Sequence, residues 1–182
     1  MLFRSAANPI VDLAIDPEGG ILAVLPEGLP LHVYDGPRGH FLFTATPDTT
    51  DSPKVEVAVG IVACLLDQGG IRWFDLRRNR EFELDWVQDF SLTGGGTWLA
   101  VLSARGRVRI LDPASGDDAL PALPPLSDAP ARMITFVHRR PELLVLDELG
   151  TLLLVDLEPL ARAGNPVEVH RVASFRNAEI DA

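Results

Sequence analysis

Four histidines, His32, His40, His138 and His170, are the side chains best suited to hold a metal or move a proton near neutral pH. Their spacing argues against both roles: none stands in an HxH or HExxH arrangement, so each reads as a strand-end or surface histidine. The run Gly94-Gly95-Gly96 in SLTGGGTWLA resembles a phosphate cradle but lacks the Lys and Ser/Thr of a P-loop. It also leads into a strand, whereas an anion site needs a helix N-terminus, so it reads as a turn. The serines show no G-x-S-x-G context. The adjacent carboxylates Asp117-Asp118 and Asp147-Glu148 fall at turns, where acids are common for backbone reasons. Cys64, the one cysteine, sits in IVACLL and reads as a small buried apolar residue; no internal disulfide is available. The basic cluster RRNR at 77–80 has Trp73, Phe74 and Phe82 nearby, but these aromatics suit sheet packing better than base stacking. The expectation is no catalytic residue, no metal and no cofactor.

Composition narrows the partners. The chain has 182 residues, 47% of them hydrophobic, enough for one domain with a substantial core, taken as 1–182. Its formal charge of −10 gives a long-range field of the wrong sign for nucleic acid or anionic lipid, and of the right sign for a basic protein segment. No stretch reaches the roughly 18 uninterrupted apolar residues of a membrane helix, and the N-terminus lacks a signal-peptide apolar run. A soluble, cytoplasmic protein is expected, with no nucleic-acid and no membrane partner.

The elements that would position any site come from a repeat. Apolar segments end in aspartate at Asp35, Asp75, Asp112 and Asp156, separated by 40, 37 and 44 residues. Before each aspartate lie two apolar strands joined by a glycine-bearing turn: ILAVL and LPLHVYD, IVACLL and GIRWFD, TWLAVLS and GRVRILD, ELLVLD and GTLLLVD. Another strand precedes each pair, as VDLAID at 11–16, VEVAVG at 55–60, DFSLT at 89–93 and MITFVH at 133–138. A fourth follows as HFLFTAT at 40–46, EFELDWV at 81–87 and PVEVHRVAS at 166–174; its counterpart in the third unit, ALPALPPL, is broken by prolines and suits only an edge. The inner strands are near-continuous runs of Leu, Val and Ile, which means small sheets apolar on both faces and sandwiched between neighbours. Helix is confined to a turn or two in LEPLARAG at 157–164.

With that period, and the aspartates of VYD, WFD, ILD and LVD, residues 10–175 resemble the WD40-like β-propeller family. The resemblance implies an all-β fold, a β-propeller of about four four-stranded antiparallel blades at approximately 10–46, 55–87, 89–126 and 132–175. Tyr34, Phe74, Leu111 and Val155 stand where the family has Trp, and its Gly-His pair occurs once, as Gly39-His40. Four units are fewer than the family's usual seven or so. That leaves a small closed ring, a piece of something longer, or an incomplete, open array completed by a homo- or hetero-oligomeric partner; the last is the expectation. The residue usage is compatible with the divergent propellers of bacterial multi-protein systems.

The functional expectation is a non-catalytic protein–protein interaction scaffold. The alternative is a propeller-fold enzyme, a hydrolase or lyase with its site at the central channel. In a meander the second turn of each blade and the loop between blades share one face. Glu27, Asp48, Asp51, Asp67, Asp85, Asp89, Asp128, Asp147 and Glu148 fall there, against Lys54, Arg105 and Arg132. An acidic face is expected, offering Glu27, Asp48, Asp51, Asp67, Arg105, Asp128, Asp147 and Glu148 to a protein partner with a basic segment. The loop TPDTTDSPK at 46–54 is its longest feature. Asp35, Asp75, Asp112 and Asp156 are read as structural strand ends. The competing reading is that acidic turns only maintain solubility.

Overall fold

Alternating apolar runs punctuated by glycine turns become β-meanders in the computed structural model, which describes residues 9–16, 18, 20–45, 54–66, 69–138 and 140–175. The first sheet contains β1 (Ile10–Ile15), β2 (Ile21–Pro26), β3 (Leu31–Asp35) and β4 (His40–Ala45), in that spatial order and antiparallel throughout. The second contains β5 (Val55–Ala58), β6 (Ile61–Leu66), β7 (Gly70–Asp75) and β8 (Arg80–Asp85) in the same order. The third has three strands, β9 (Val87–Leu92), β10 (Leu99–Ser103) and β11 (Val108–Leu111). The fourth is β12 (Ala131–Phe136), β13 (Glu142–Asp147), β14 (Thr151–Asp156) and β15 (Glu168–Ser174), with α1 (Glu158–Ala163) between the last two.

Several boundaries shift by one or two residues from the sequence reading, as at β12, Ala131–Phe136 against the expected 133–138, and two differences have a direct physical cause. ALPALPPL forms no strand beside β11, because Pro121, Pro124 and Pro125 have no N–H to donate to a ladder. One isolated bridge, Leu111 to Asp118, and a hydrogen bond from Ala119 N–H to the Ile110 carbonyl (2.8 Å) start the pairing. The segment then packs through Leu120, Leu123 and Leu126 onto the core. The strand expected at 81–87 stops at Asp85, since Trp86 takes φ 63°, a left-handed conformation that ends pairing. The next strand therefore begins at Val87, two residues before the expected position.

Residue contacts group the chain into two compact units, Met1–Trp86 and Val87–Ala182. In the first, the β1–β4 sheet presents Ala23, Leu25, Leu31 and Val33 to Val55, Val57, Val62 and Cys64 of the following sheet. In the second, Ala100, Leu102, Val108 and Ile110 meet Ile134, Phe136, Leu143 and Val145 in the same manner. These faces hold the apolar burial that stabilises each unit, at roughly 25 cal/mol per Å² removed from water.

Candidate interaction surfaces

The first strand of each sheet decides how neighbouring sheets in a unit are joined. Register shifts at the start of β1, β9 and β12 place Asp12 opposite Leu25, Asp89 opposite Leu102 and Met133 opposite Leu146, three equivalent positions. Lys54, whose carbonyl accepts the Leu65 N–H, holds the corresponding place before β5. Each aspartate accepts two backbone donors. Asp12 Oδ1 accepts the Leu13 N–H (2.8 Å) and Oδ2 accepts the Val55 N–H of the next sheet (2.6 Å). Asp89 Oδ1 accepts the Phe90 N–H (2.8 Å) and Oδ2 accepts the Ile134 N–H (2.8 Å). Asp16 to the Val59 N–H (3.3 Å) and Ser91 Oγ to the Phe136 N–H (3.1 Å) add a second tie in each unit. The carboxylate thus stands only in the leading sheet of each pair, and one aspartate satisfies an inner-edge donor in both members.

The four repeat-ending aspartates do local work. Asp75, fully buried, accepts the N–H groups of Arg77 and Arg78 and the Arg78 guanidinium (2.7 Å). Burial pushes its carboxyl up, but the Arg78 guanidinium and these N–H groups more than offset that and hold it below the usual range. Asp112 accepts the Ala114 N–H (2.8 Å) and Asp156 the Glu158 N–H (2.9 Å), the same turn two residues on. Asp35 cannot repeat it, because the residue two positions on is Pro37; its carboxylate instead meets the Arg38 guanidinium at 3.9 Å.

Among the described residues, the acids expected on the loop face divide between exposed and buried ones. Glu27, Asp85, Asp128 and Glu148 are exposed, and so are Arg105 and Arg132. Asp48, Asp51 and Asp67 lie outside the described residues. Asp147 does not belong to a binding face: it is 3% exposed, and Oδ1 accepts the N–H groups of Leu149 (3.0 Å) and Thr151 (2.7 Å). Burial raises its carboxyl, and the Thr151 N–H with neighbouring hydroxyls and the Leu149 N–H outweigh that and lower it. Asp89, 7% exposed inside β9, leaves the loop face for the same reason. Asp12, Asp16 and Ser91 were missed by sequence reading; the available signal was a polar residue inside an otherwise apolar first strand.

The first and the last sheet in chain order each keep one apolar face open. On the β1–β4 sheet it carries Leu13 and Ile15, 47% and 57% exposed, with half-buried Leu22 and Val24. His32, Tyr34 and Phe41 extend it as an edge-to-face aromatic cluster. On the β12–β15 sheet it carries Leu144, Leu146, Leu152 and Leu154, all half-buried, and Met133, 55% exposed.

Among the described residues, reactive chemistry does not gather elsewhere. Among the described residues no three His, Cys, Asp or Glu side chains are grouped to hold a metal ion. The Gly94–Gly96 turn is organised by Thr93, whose hydroxyl accepts the N–H groups of Thr97 (3.1 Å) and Trp98 (3.0 Å). Cys64 is buried, and desolvation, with Glu81 adding to it against Arg72, pushes its thiol up to about 12. No helix among the described residues is long and apolar enough to cross a membrane.

Consecutive antiparallel meanders, each laid face to face on the next within a unit, define an all-β protein of the β-propeller class. Its structure is similar to the crystal structure of the Myceliophteria thermophila Cps50 (Swd1) β-propeller domain, with a TM-score of 0.70 and 14% identity over 96% of this chain. The chain spans 61% of the length of that domain. No protein-family model and no curated protein matches the sequence.

Proposed function

We propose that the chain is a non-catalytic protein-interaction scaffold of the WD40-like propeller type. The observation that carries this reading is the pair of open sheet faces, apolar surface of a kind that marks contact sites in folded proteins. The buried carboxylates Asp16, Asp75, Asp89 and Asp147 all accept backbone N–H groups, which suits supporting roles better than acid–base chemistry. A basic protein segment is the second contact in this reading, held by Glu27, Asp48, Asp51 and Asp67 in the first unit or by Asp128 and Glu148 in the second; Glu27, Asp128 and Glu148 are exposed. The overall charge of −10 favours such a partner's approach.

Fluorescence anisotropy with a Lys/Arg-rich peptide and an Asp/Glu-rich peptide of equal length tests the loop face. Binding confined to the basic peptide, weakened by combined Glu27→Lys, Asp51→Lys and Asp67→Lys changes, supports it. Equal binding of both peptides, or no loss in the variant, refutes it.

A further inference from the structure

Within each unit the leading sheet's forward face packs on the following sheet's rear face. The forward face takes alternate residues from the second and third strands of its sheet: Ala23, Leu25, Leu31 and Val33 in one unit, Ala100, Leu102, Val108 and Ile110 in the other. The rear face takes alternate residues from the first and second strands: Val55, Val57, Val62 and Cys64, or Ile134, Phe136, Leu143 and Val145. Strand register places the two open faces in this scheme. Leu144 opposite Leu154, and Leu146 opposite Leu152, match Ala100 opposite Ile110 and Leu102 opposite Val108, so the open face of the β12–β15 sheet is a forward face. Leu13 opposite Val24, and Ile15 opposite Leu22, match Ile134 opposite Val145 and Phe136 opposite Leu143, so the open face of the β1–β4 sheet is a rear face.

Among the described residues, the first unit therefore presents an open rear face and the second unit an open forward face, of the chemistry and register that pack together within each unit. We propose that a second copy of the chain docks here, seating Leu144, Leu146, Leu152 and Leu154 of one copy on Leu13, Ile15, Leu22 and Val24 of the other. The contact is heterologous, because two different surfaces meet. It needs no carboxylate tie: the position that holds Asp12 and Asp89 is Met133 in the β12–β15 sheet, and the Leu13 N–H is already bonded to Asp12. The proposal rests on the scaffold reading and names its partner.

Sedimentation of the full chain over a concentration series provides the test, with Ile15→Glu and Met133→Glu as variants at exposed positions that tolerate a charge in the free chain. The wild type is expected to associate to twice the chain mass or beyond, and each variant to weaken this at least tenfold. An equimolar mixture of the variants is expected to form pairs, because the intact forward face of Ile15→Glu meets the intact rear face of Met133→Glu. Circular dichroism verifies that both variants keep their sheet content. A wild type at one chain mass throughout overturns the proposal, as does a variant that associates like the wild type, which would mean one face pairs with itself. Peptide binding measured on the same samples separates the two readings. Its retention by a wild type that stays at one chain mass sinks self-docking alone.

Discussion

The Val55 N–H donates to Asp12 Oδ2 at 2.6 Å, across the join between two sheets and 43 residues along the chain. The Ile134 N–H repeats this with Asp89 at 2.8 Å, 45 residues along. Each carboxylate also accepts the N–H after it, so an Asp→Ala change orphans two donors at once. Loss of about 1–3 kcal/mol is expected in urea denaturation of the full chain. Asp89→Ala should be the more costly of the two because Asp89 is buried and no water replaces it. Asp→Asn, which keeps an acceptor oxygen, recovers part of the loss.

Stability should fall steeply in acid. The Asp75 and Asp147 carboxyls are both held below their ordinary value in the folded chain. A lowered folded pKa contributes stability that is fully present above the unfolded value, near pH 4, and is lost as pH falls through the folded value. Denaturation midpoints measured between neutral pH and the acid range should show this loss. Asp75→Asn and Asp147→Asn should each be less stable at neutral pH and lose less on acidification; an unchanged acid slope in both would contradict the assignment.

Cys64 should be inert until the chain unfolds. Its thiol, pushed up to about 12 by burial and closed off from solvent, supplies almost no thiolate near neutral pH. Labelling by a thiol-specific reagent is expected to follow global unfolding as denaturant is raised, with negligible reaction in native buffer. Rapid native labelling would show that the core between the β1–β4 and β5–β8 sheets opens locally.

Two turn glycines separate backbone conformation from crowding. Gly28 and Gly150 both have left-handed φ, 67° and 75°. Nothing lies within 4 Å of a Cβ built at Gly28, whereas one at Gly150 would collide with the Phe175 carbonyl oxygen. Gly28→Ala should cost about 1 kcal/mol, the conformational penalty alone. Gly150→Ala should cost more, since the β15 end must also move. Thermal melting of the two variants compares them directly.

The repeat was legible because its signals are local. Strand-ending aspartates, glycine turns and unbroken Leu, Val and Ile runs recur at fixed offsets, and a meander needs only neighbouring segments to pair. ALPALPPL was equally readable as an exception, since proline removes the donors a ladder requires. Which turn acids reach the surface was legible only in part. Asp147 and Glu148 are neighbours of the same charge class in the sequence, yet one is buried under its own turn and the other exposed.

By itself, the sequence determined the all-β class, the count of four sheets and the strand order, because each follows from period, unbroken apolar runs and turn chemistry along a continuous stretch. Only the tertiary structure decided that Asp12 and Asp89 tie sheets together and which apolar faces stay open. Those facts depend on which backbone donor lies beside a carboxylate 43 or 45 residues away, and on what covers a sheet face. A run such as TLLLVD reads the same whether both of its faces are covered or one is left to water.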